Sequence, residues 1–144
     1  ITVATAESCT GGRVAGALVA VDGASTYFRG GVVAYTDEIK HAVLGVSSET
    51  LATHTAVSAA VCREMCQGVQ SVMGVTCSVA TTGYASGVGL PPELAGLIYV
   101  GVRLNDAVVV KELRLKGSRA DNIRETVRVA LETLHAALEG ASAE

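Results

Sequence analysis

The chain is poor in aromatic residues: no tryptophan, one phenylalanine and four tyrosines in 144 residues. That leaves little from which to build the stacking platforms that hold single-stranded nucleic acid. Basic charge is also scarce. Eleven Lys and Arg face fourteen Asp and Glu, for a net charge of -3, so there is no electrostatic footprint for DNA or RNA. No apolar run approaches the ~18 residues a membrane span needs. Only two prolines occur, side by side at Pro91-Pro92, and no linker, internal repeat or low-complexity stretch divides the chain. The start, Ile1-Thr2-Val3, has no basic leader and reads as a strand. It also lacks an initiator Met, as expected of a trimmed start or a fragment of a longer protein.

What is present is a small-residue, apolar chain: 49% hydrophobic, 17% charged, with sixteen glycines. This excludes intrinsic disorder and suits one α/β domain over 1–144 with its own core. Cys9, Cys62, Cys66 and Cys77 look like reduced, buried thiols. Cys62 and Cys66 share a helix face but have no further ligand-type neighbours, so small core residues are expected there rather than a metal pair.

Hydrophobic periodicity divides the chain into elements. Ile1–Ala6 reads as a strand, and Glu7-Ser8-Cys9-Thr10-Gly11-Gly12 as a turn. Val14, Ala17, Leu18 and Val21 form one helix face. Phe28–Tyr35 is a second strand whose Gly30-Gly31 suggests a bulge or a close backbone approach. Asp37–Leu44 is a short helix stopped by Gly45, and Ser47-Ser48-Glu49 starts another helical turn. Ser58–Met73 is an amphipathic helix. Val75–Thr81 is a strand buried on both faces, and Thr82–Pro92 a loop. Gly96–Arg103 and Ala107–Leu115 form a hairpin around Asn105-Asp106. A last helix follows Gly117-Ser118, with a frayed tail expected after Gly140. The expected fold is a three-layer α/β/α sandwich on a mixed, mostly parallel sheet of about five strands.

Several residues could carry chemistry. Ser8 lies in a turn between a strand and a helix, at the sheet rim where open α/β sheets bind ligands. The helix start offers free N–H groups and a positive dipole end for a phosphate or an oxyanion. Plain helix capping by Ser8 or Thr10 explains the same residues. Neither the P-loop spacing nor a G-x-S-x-G elbow is present. A nucleophilic serine needs a base, and His41, His54 and His135 are not obvious ones. Lys40 could serve if burial lowers its pKa; its ordinary alternative is a solvated helix lysine. Tyr35 ends a strand nearby. Thr82-Gly83 falls beside Ser8 if the first and third strands are adjacent and parallel. Arg119 and Arg124, near the start of the last helix, could meet a phosphate or carboxylate or simply be solvated. Arg29 carries the same ambiguity.

In order along the chain, Ala6-Glu7-Ser8-Cys9-Thr10-Gly11-Gly12, Phe28-Arg29-Gly30-Gly31-Val32-Val33-Ala34-Tyr35, Leu44-Gly45-Val46, Ala56-Val57-Ser58, Thr82-Gly83 and Ile123-Arg124 resemble the CinA C-terminal domain family, the nicotinamide-nucleotide amidohydrolases. The resemblance covers nearly the whole chain. It implies a CinA-like fold and deamidation of nicotinamide mononucleotide to nicotinate mononucleotide and ammonia. It further implies Ser8 as nucleophile and Lys40 as base, with Tyr35 supporting the pair. Substrate contacts would come from Thr10, Gly11, Gly31, Thr82, Gly83, Arg119 and Arg124, the arginines meeting the nucleotide phosphate. It implies no metal or organic cofactor, and a homodimer or higher homo-oligomer. The setting implied is cytoplasmic pyridine-nucleotide salvage, with no nucleic acid or membrane partner.

One segment departs from the family pattern. After Thr82-Gly83, members usually continue I-A-G-P-G-G-G. Here the chain reads Tyr84-Ala85-Ser86-Gly87-Val88-Gly89-Leu90-Pro91-Pro92. Fewer glycines in such a loop would narrow the pocket or change its substrate. The alternative function is therefore a non-catalytic relative that binds a nucleotide or a protein partner.

Overall fold

The computed structural model describes residues 1–143, with side chains for residues 1–141. The described residues form five strands and five α-helices, with two short 3-10 turns. They are β1 (Val3–Glu7), α1 (Arg13–Val19), β2 (Phe28–Val33), α2 (Asp37–Leu44), α3 (Ser48–His54), α4 (Ala59–Met73), β3 (Cys77–Gly83), β4 (Leu97–Leu104), β5 (Ala107–Arg114) and α5 (Arg119–Ala143). The sheet order is β2-β1-β3-β4-β5. β1 pairs in parallel with β2 and β3, whereas β4 runs antiparallel to both its neighbours. The mixed sheet expected from the sequence is present.

Each face of the sheet carries its own core. On one face α4 turns Val61, Cys62, Met65, Cys66 and Val69 onto Ala4, Ala6 and Ala80. On the other, Val14 and Leu18 of α1 and Ala130 and Leu134 of α5 cover Val3, Cys77, Val79, Ile98, Val100 and Val102. Burying a Val, Leu or Met side chain contributes roughly 1.5–3 kcal/mol, so these two layers supply most of the driving force. The small strand residues let α4 sit close. A Cβ on Gly101 would lie 2.8 Å from Cys62 Sγ and 3.0 Å from Cys66 Sγ. All four cysteines are free and buried, and Cys62 and Cys66 act as small core residues.

Topology places the site. From β1 the chain crosses through α1, on one face, to β2. It then returns through α4, on the other face, to β3 on the opposite flank of β1. Successive crossovers on opposite faces open a crevice outside the carboxyl ends of the strands, where ligands bind in such sheets. Ser8 follows the end of β1, Tyr35 lies two residues past β2, and Thr82-Gly83 close β3.

The element boundaries correct the sequence reading in places. β3 begins two residues later than Val75, because Gly74 caps α4 in the left-handed region and Thr76 bonds to Thr2. It also runs further. Thr82 and Gly83 remain strand, paired with Tyr99 and Ile98 on the longer β4. β2 stops at Val33 and β1 includes Glu7. The glycines in β2 mark both features expected of them. Pairing with β1 skips Arg29, so Ala4 pairs with Gly30 directly after Val3 pairs with Phe28. A Cβ on Gly31 would lie 2.1 Å from Thr5 Oγ1. α5 continues past Gly140 to Ala143, and the last residue of the tail expected after Gly140 lies outside the described residues. No helix among the described residues is long and apolar enough to cross a membrane.

Candidate active site

The turn after β1 is built around Glu7, a buried carboxylate. Its Oε1 accepts from Thr10 Oγ1 (2.6 Å) and from the Val14 N–H (2.8 Å), and its Oε2 from the Ala15 N–H (2.9 Å). The first turn of α1 is thus capped from the preceding strand, since Gly12 at the cap position has no side chain to do it. Charge-assisted bonds of this kind are roughly twice as strong as neutral ones, and the helix dipole favours an anion there. Thr10 Oγ1 also meets Thr81 Oγ1 at 2.8 Å, tying the turn to β3. Gly11 and Gly12 hold φ of 57° and 97°, which lets the chain reverse into the helix with little steric cost.

Ser8 stands on this platform at 6% exposure. Its N–H donates to Thr81 O at 3.0 Å. Its hydroxyl accepts from Lys40 Nζ at 3.2 Å. Lys40 comes from α2, which Thr36 starts by accepting the Ile39 N–H on its side-chain oxygen. On α2 the buried residues are Lys40 and Leu44, four apart and therefore on one face. Lys40 occupies an inward position that an apolar residue would ordinarily fill, and it is only 2% exposed. Burial lowers its pKa, against a smaller opposing attraction from Asp37 and Cys9. The direction favours the neutral amine, which can accept a proton.

The pair lies at the floor of a cavity of about 590 Å³, a volume within the range of small-molecule sites. Around it stand Tyr35, Asp37, the strap Thr55–Val57 and the segment from Thr82 to Leu90, with Arg119 at the rim. None of the three histidines lines it. Cys9 does, but burial pushes its thiol up to about 11, so it stays protonated and is a poor competitor to Ser8 as nucleophile.

Two kinds of donor are available for a developing oxyanion. Among the described residues, the N–H of Cys9, which lines the cavity, makes no backbone bond. At β3, the Tyr84 N–H donates to Leu97 O. Strand alternation therefore aims the Gly83 N–H to the opposite edge, where β1 has already ended at Glu7.

The structure brings together some of the residues named from the sequence and separates others. Ser8, Lys40, Tyr35, Thr82, Gly83 and Arg119 all line the cavity. Thr82 Oγ1 donates to Ala56 O at 2.8 Å and fixes the strap as one wall. Tyr35 does not hydrogen-bond Ser8 or Lys40; its hydroxyl accepts from Arg119 Nη2 at 3.1 Å. Arg119 Nη1 also reaches Ser86 Oγ at 3.4 Å, so this arginine bridges two walls of the mouth. Thr10, Gly11 and Gly31 do not line the cavity. Thr10 is committed to Glu7 and Thr81, and Gly31 serves the close packing on Thr5. Arg124 is also elsewhere: one helical turn beyond Arg119 it faces solvent, paired with Asp121 at 2.6 Å. Arg29 is exposed and donates to Ser25 O.

The sequence reading assigns no role of their own to Glu7, Thr81, Thr55 and Ser86. A carboxylate inside an otherwise apolar strand, just before a glycine-rich turn, was the available signal for Glu7. The altered loop does not close the pocket. Ala85 O accepts from Asn122 Nδ2 at 2.9 Å, which anchors the segment to α5, and Val88 is 91% exposed at the mouth.

The sequence pattern that defines the CinA C-terminal domain matches residues 1–138. A protein of Clostridium botulinum (strain Okra / Type B1) carrying the name competence-damage inducible protein is 41% identical over 140 residues, 96% of this chain and 34% of its own length. One of the same name from Thermoanaerobacter sp. (strain X514) is 40% identical over 141 residues, again 34% of its length. The chain thus spans about a third of these relatives. Among solved structures, the competence/damage inducible protein CihA of Agrobacterium tumefaciens superposes with a TM-score of 0.91 at 39% identity, covering 94% of this chain and 84% of that one. The competence damage-inducible protein A of Klebsiella pneumoniae subsp. pneumoniae MGH 78578 gives 0.88 at 35%, covering 96% and 86%.

Proposed function

Because the chain belongs to the CinA C-terminal domain family, we propose that it is an amidohydrolase that converts nicotinamide mononucleotide to nicotinate mononucleotide and ammonia. The observation that carries this reading is the Lys40 Nζ–Ser8 Oγ contact of 3.2 Å at the floor of the cavity, with the lysine 2% exposed. A buried amine beside a serine hydroxyl is an activated nucleophile without histidine or metal.

Neutral Lys40 takes the Ser8 proton as Oγ attacks the carboxamide carbon. The oxyanion that forms is held by the backbone N–H of Cys9 or of Gly83. One such donor is typically worth 10²–10³ in rate. The Lys40 ammonium then returns its proton to the amide nitrogen, the C–N bond breaks and ammonia leaves an ester on Ser8. Water, deprotonated by Lys40, attacks that ester and releases the carboxylate, and Ser8 recovers its proton. Arg119, rather than Arg124, faces the mouth and supplies the cation for the phosphate, because the reacting carboxamide must lie at the buried end of the cavity.

The test is ammonia release from nicotinamide mononucleotide by the unmodified chain beside Ser8→Ala and Lys40→Ala, with folding checked by circular dichroism. Release that both substitutions abolish supports the Ser–Lys amidohydrolase. A folded but inactive parent chain that still gains thermal stability with the nucleotide would point to the non-catalytic nucleotide-binding reading instead.

A further inference from the structure

Thr55, in the cavity wall, holds φ 66° and ψ 164°. Only glycine enters that region freely, and a β-branched side chain is among the worst placed there. The other non-glycine residue with positive φ among those described is Asn105, in the β4–β5 turn. Asparagine is an ordinary occupant of a hairpin turn; threonine at Thr55 has no such excuse. The surroundings force the conformation. The Thr55 N–H donates to Leu51 O at 3.1 Å. Thr55 O accepts from Ser58 Oγ at 2.9 Å, and the next carbonyl, Ala56 O, from Thr82 Oγ1 at 2.8 Å. Glycine would satisfy all of these backbone bonds without strain. What threonine adds is a side chain on the cavity wall. That side chain is exposed, and its hydroxyl has only a long contact, to Val57 O at 3.4 Å.

We propose that Thr55 is a substrate-contacting residue, whose hydroxyl hydrogen-bonds the sugar–phosphate part of the nucleotide while the carboxamide reaches Ser8. The inference rests on the amidohydrolase reading. Depth assigns the two ends: Ser8 and Lys40 are 6% and 2% exposed, and Thr55 lies at the open rim, as does Arg119. A strained backbone retained at a functional wall is the pattern expected where strain serves a site.

The experiment is calorimetric titration of nicotinamide mononucleotide into the Ser8→Ala chain, which cannot turn it over, and into the same chain carrying Thr55→Val, Thr55→Gly or Thr55→Ser. Loss of one neutral hydrogen bond weakens binding about three- to tenfold. Thr55→Val and Thr55→Gly should show that loss. Thr55→Ser should bind within about twofold of the parent, because it keeps the hydroxyl. Thr55→Gly should also melt about 2–4 °C higher, as the strain is relieved. A residue with a merely structural role would raise the melting point as glycine and leave Kd unchanged in every variant, and that result overturns the proposal. No binding of the nucleotide to either the unmodified chain or the Ser8→Ala chain would overturn both this inference and the reading it rests on. Unchanged binding in Thr55→Val alone overturns only this one.

Discussion

The floor and the rim of the cavity are built on different terms. At the floor Ser8 and Lys40 are buried, as are Glu7, Thr10 and Thr81 beneath it, and each is hydrogen-bonded by neighbours on β1, α2, β3 or the turn. At the rim, Tyr35, Thr55, Val88 and Arg119 are exposed, and the mouth is bridged by two hydrogen bonds from one arginine. Reacting atoms must be held closely, so they sit where packing and secondary structure fix rotamers. Parts that select a substrate can vary on loops without endangering the core.

Breaking the floor should give the largest effects. Ser8→Ala removes the nucleophile, and Lys40→Ala a general base worth about 10²–10⁴ in rate. Both should lower kcat at least that far, with little change in KM. Equal loss from a rim substitution would erase the distinction between the two regions.

Glu7→Gln tests the platform under Ser8. It replaces a carboxylate that accepts three hydrogen bonds by a group with one acceptor atom, leaving a buried N–H unpaired. Such groups cost about 1–3 kcal/mol each, so chemical denaturation should show a loss of that order, and kcat should fall with it. A fully stable, fully active Glu7→Gln chain would mean that the turn is held by other contacts.

The pH dependence sharpens the same contrast. A lysine with a lowered folded pKa binds fewer protons folded than unfolded between that value and its ordinary 10.5. Stability therefore rises with pH across this window and falls as pH drops through the folded pKa. Activity should climb as pH rises through the folded pKa, where folded Lys40 loses its proton, and level off above it while stability still rises. Melting points measured across pH in the parent and in Lys40→Met should differ in slope by the Lys40 contribution, the parent gaining stability with rising pH relative to the variant, while the buried thiols act alike in both.

Smaller effects belong to the rim. Arg119→Ala should raise KM for the mononucleotide about tenfold, the scale of one charge-assisted contact, with kcat less affected. Arg124→Ala, which removes only a solvent-exposed pair with Asp121, should leave KM within about twofold and stability within about 0.5 kcal/mol. A reversal of that order would return the phosphate to Arg124.

How much was legible in the sequence follows the same division. Apolar periodicity marked α1, α4, α5 and the strands, because these bury one face or two against a single sheet; α3, which buries no residue, was visible only as a helical turn after Ser47. Strand ends were less visible, since β3 extends to Gly83 only because β4, distant in sequence, continues beside it. Ser8 was readable from its turn. Lys40 looked like any helix lysine; its role depends on α2 presenting Lys40 and Leu44 to the interior, which no local pattern states. Arg119 and Arg124 are five residues apart on one helix, and only tertiary placement separates them. Thr10 and Gly31 were noticed for the right motif but serve packing and hydrogen bonding beneath the site.

The most direct test of the account is the mass of the chain quenched in acid during turnover of nicotinamide mononucleotide. The Ser–Lys mechanism predicts an adduct equal to the substrate less ammonia, mapped by peptide sequencing to Ser8 and missing from Ser8→Ala. Ammonia release that continues at the parent rate in Ser8→Ala, with no adduct on either chain, would contradict it.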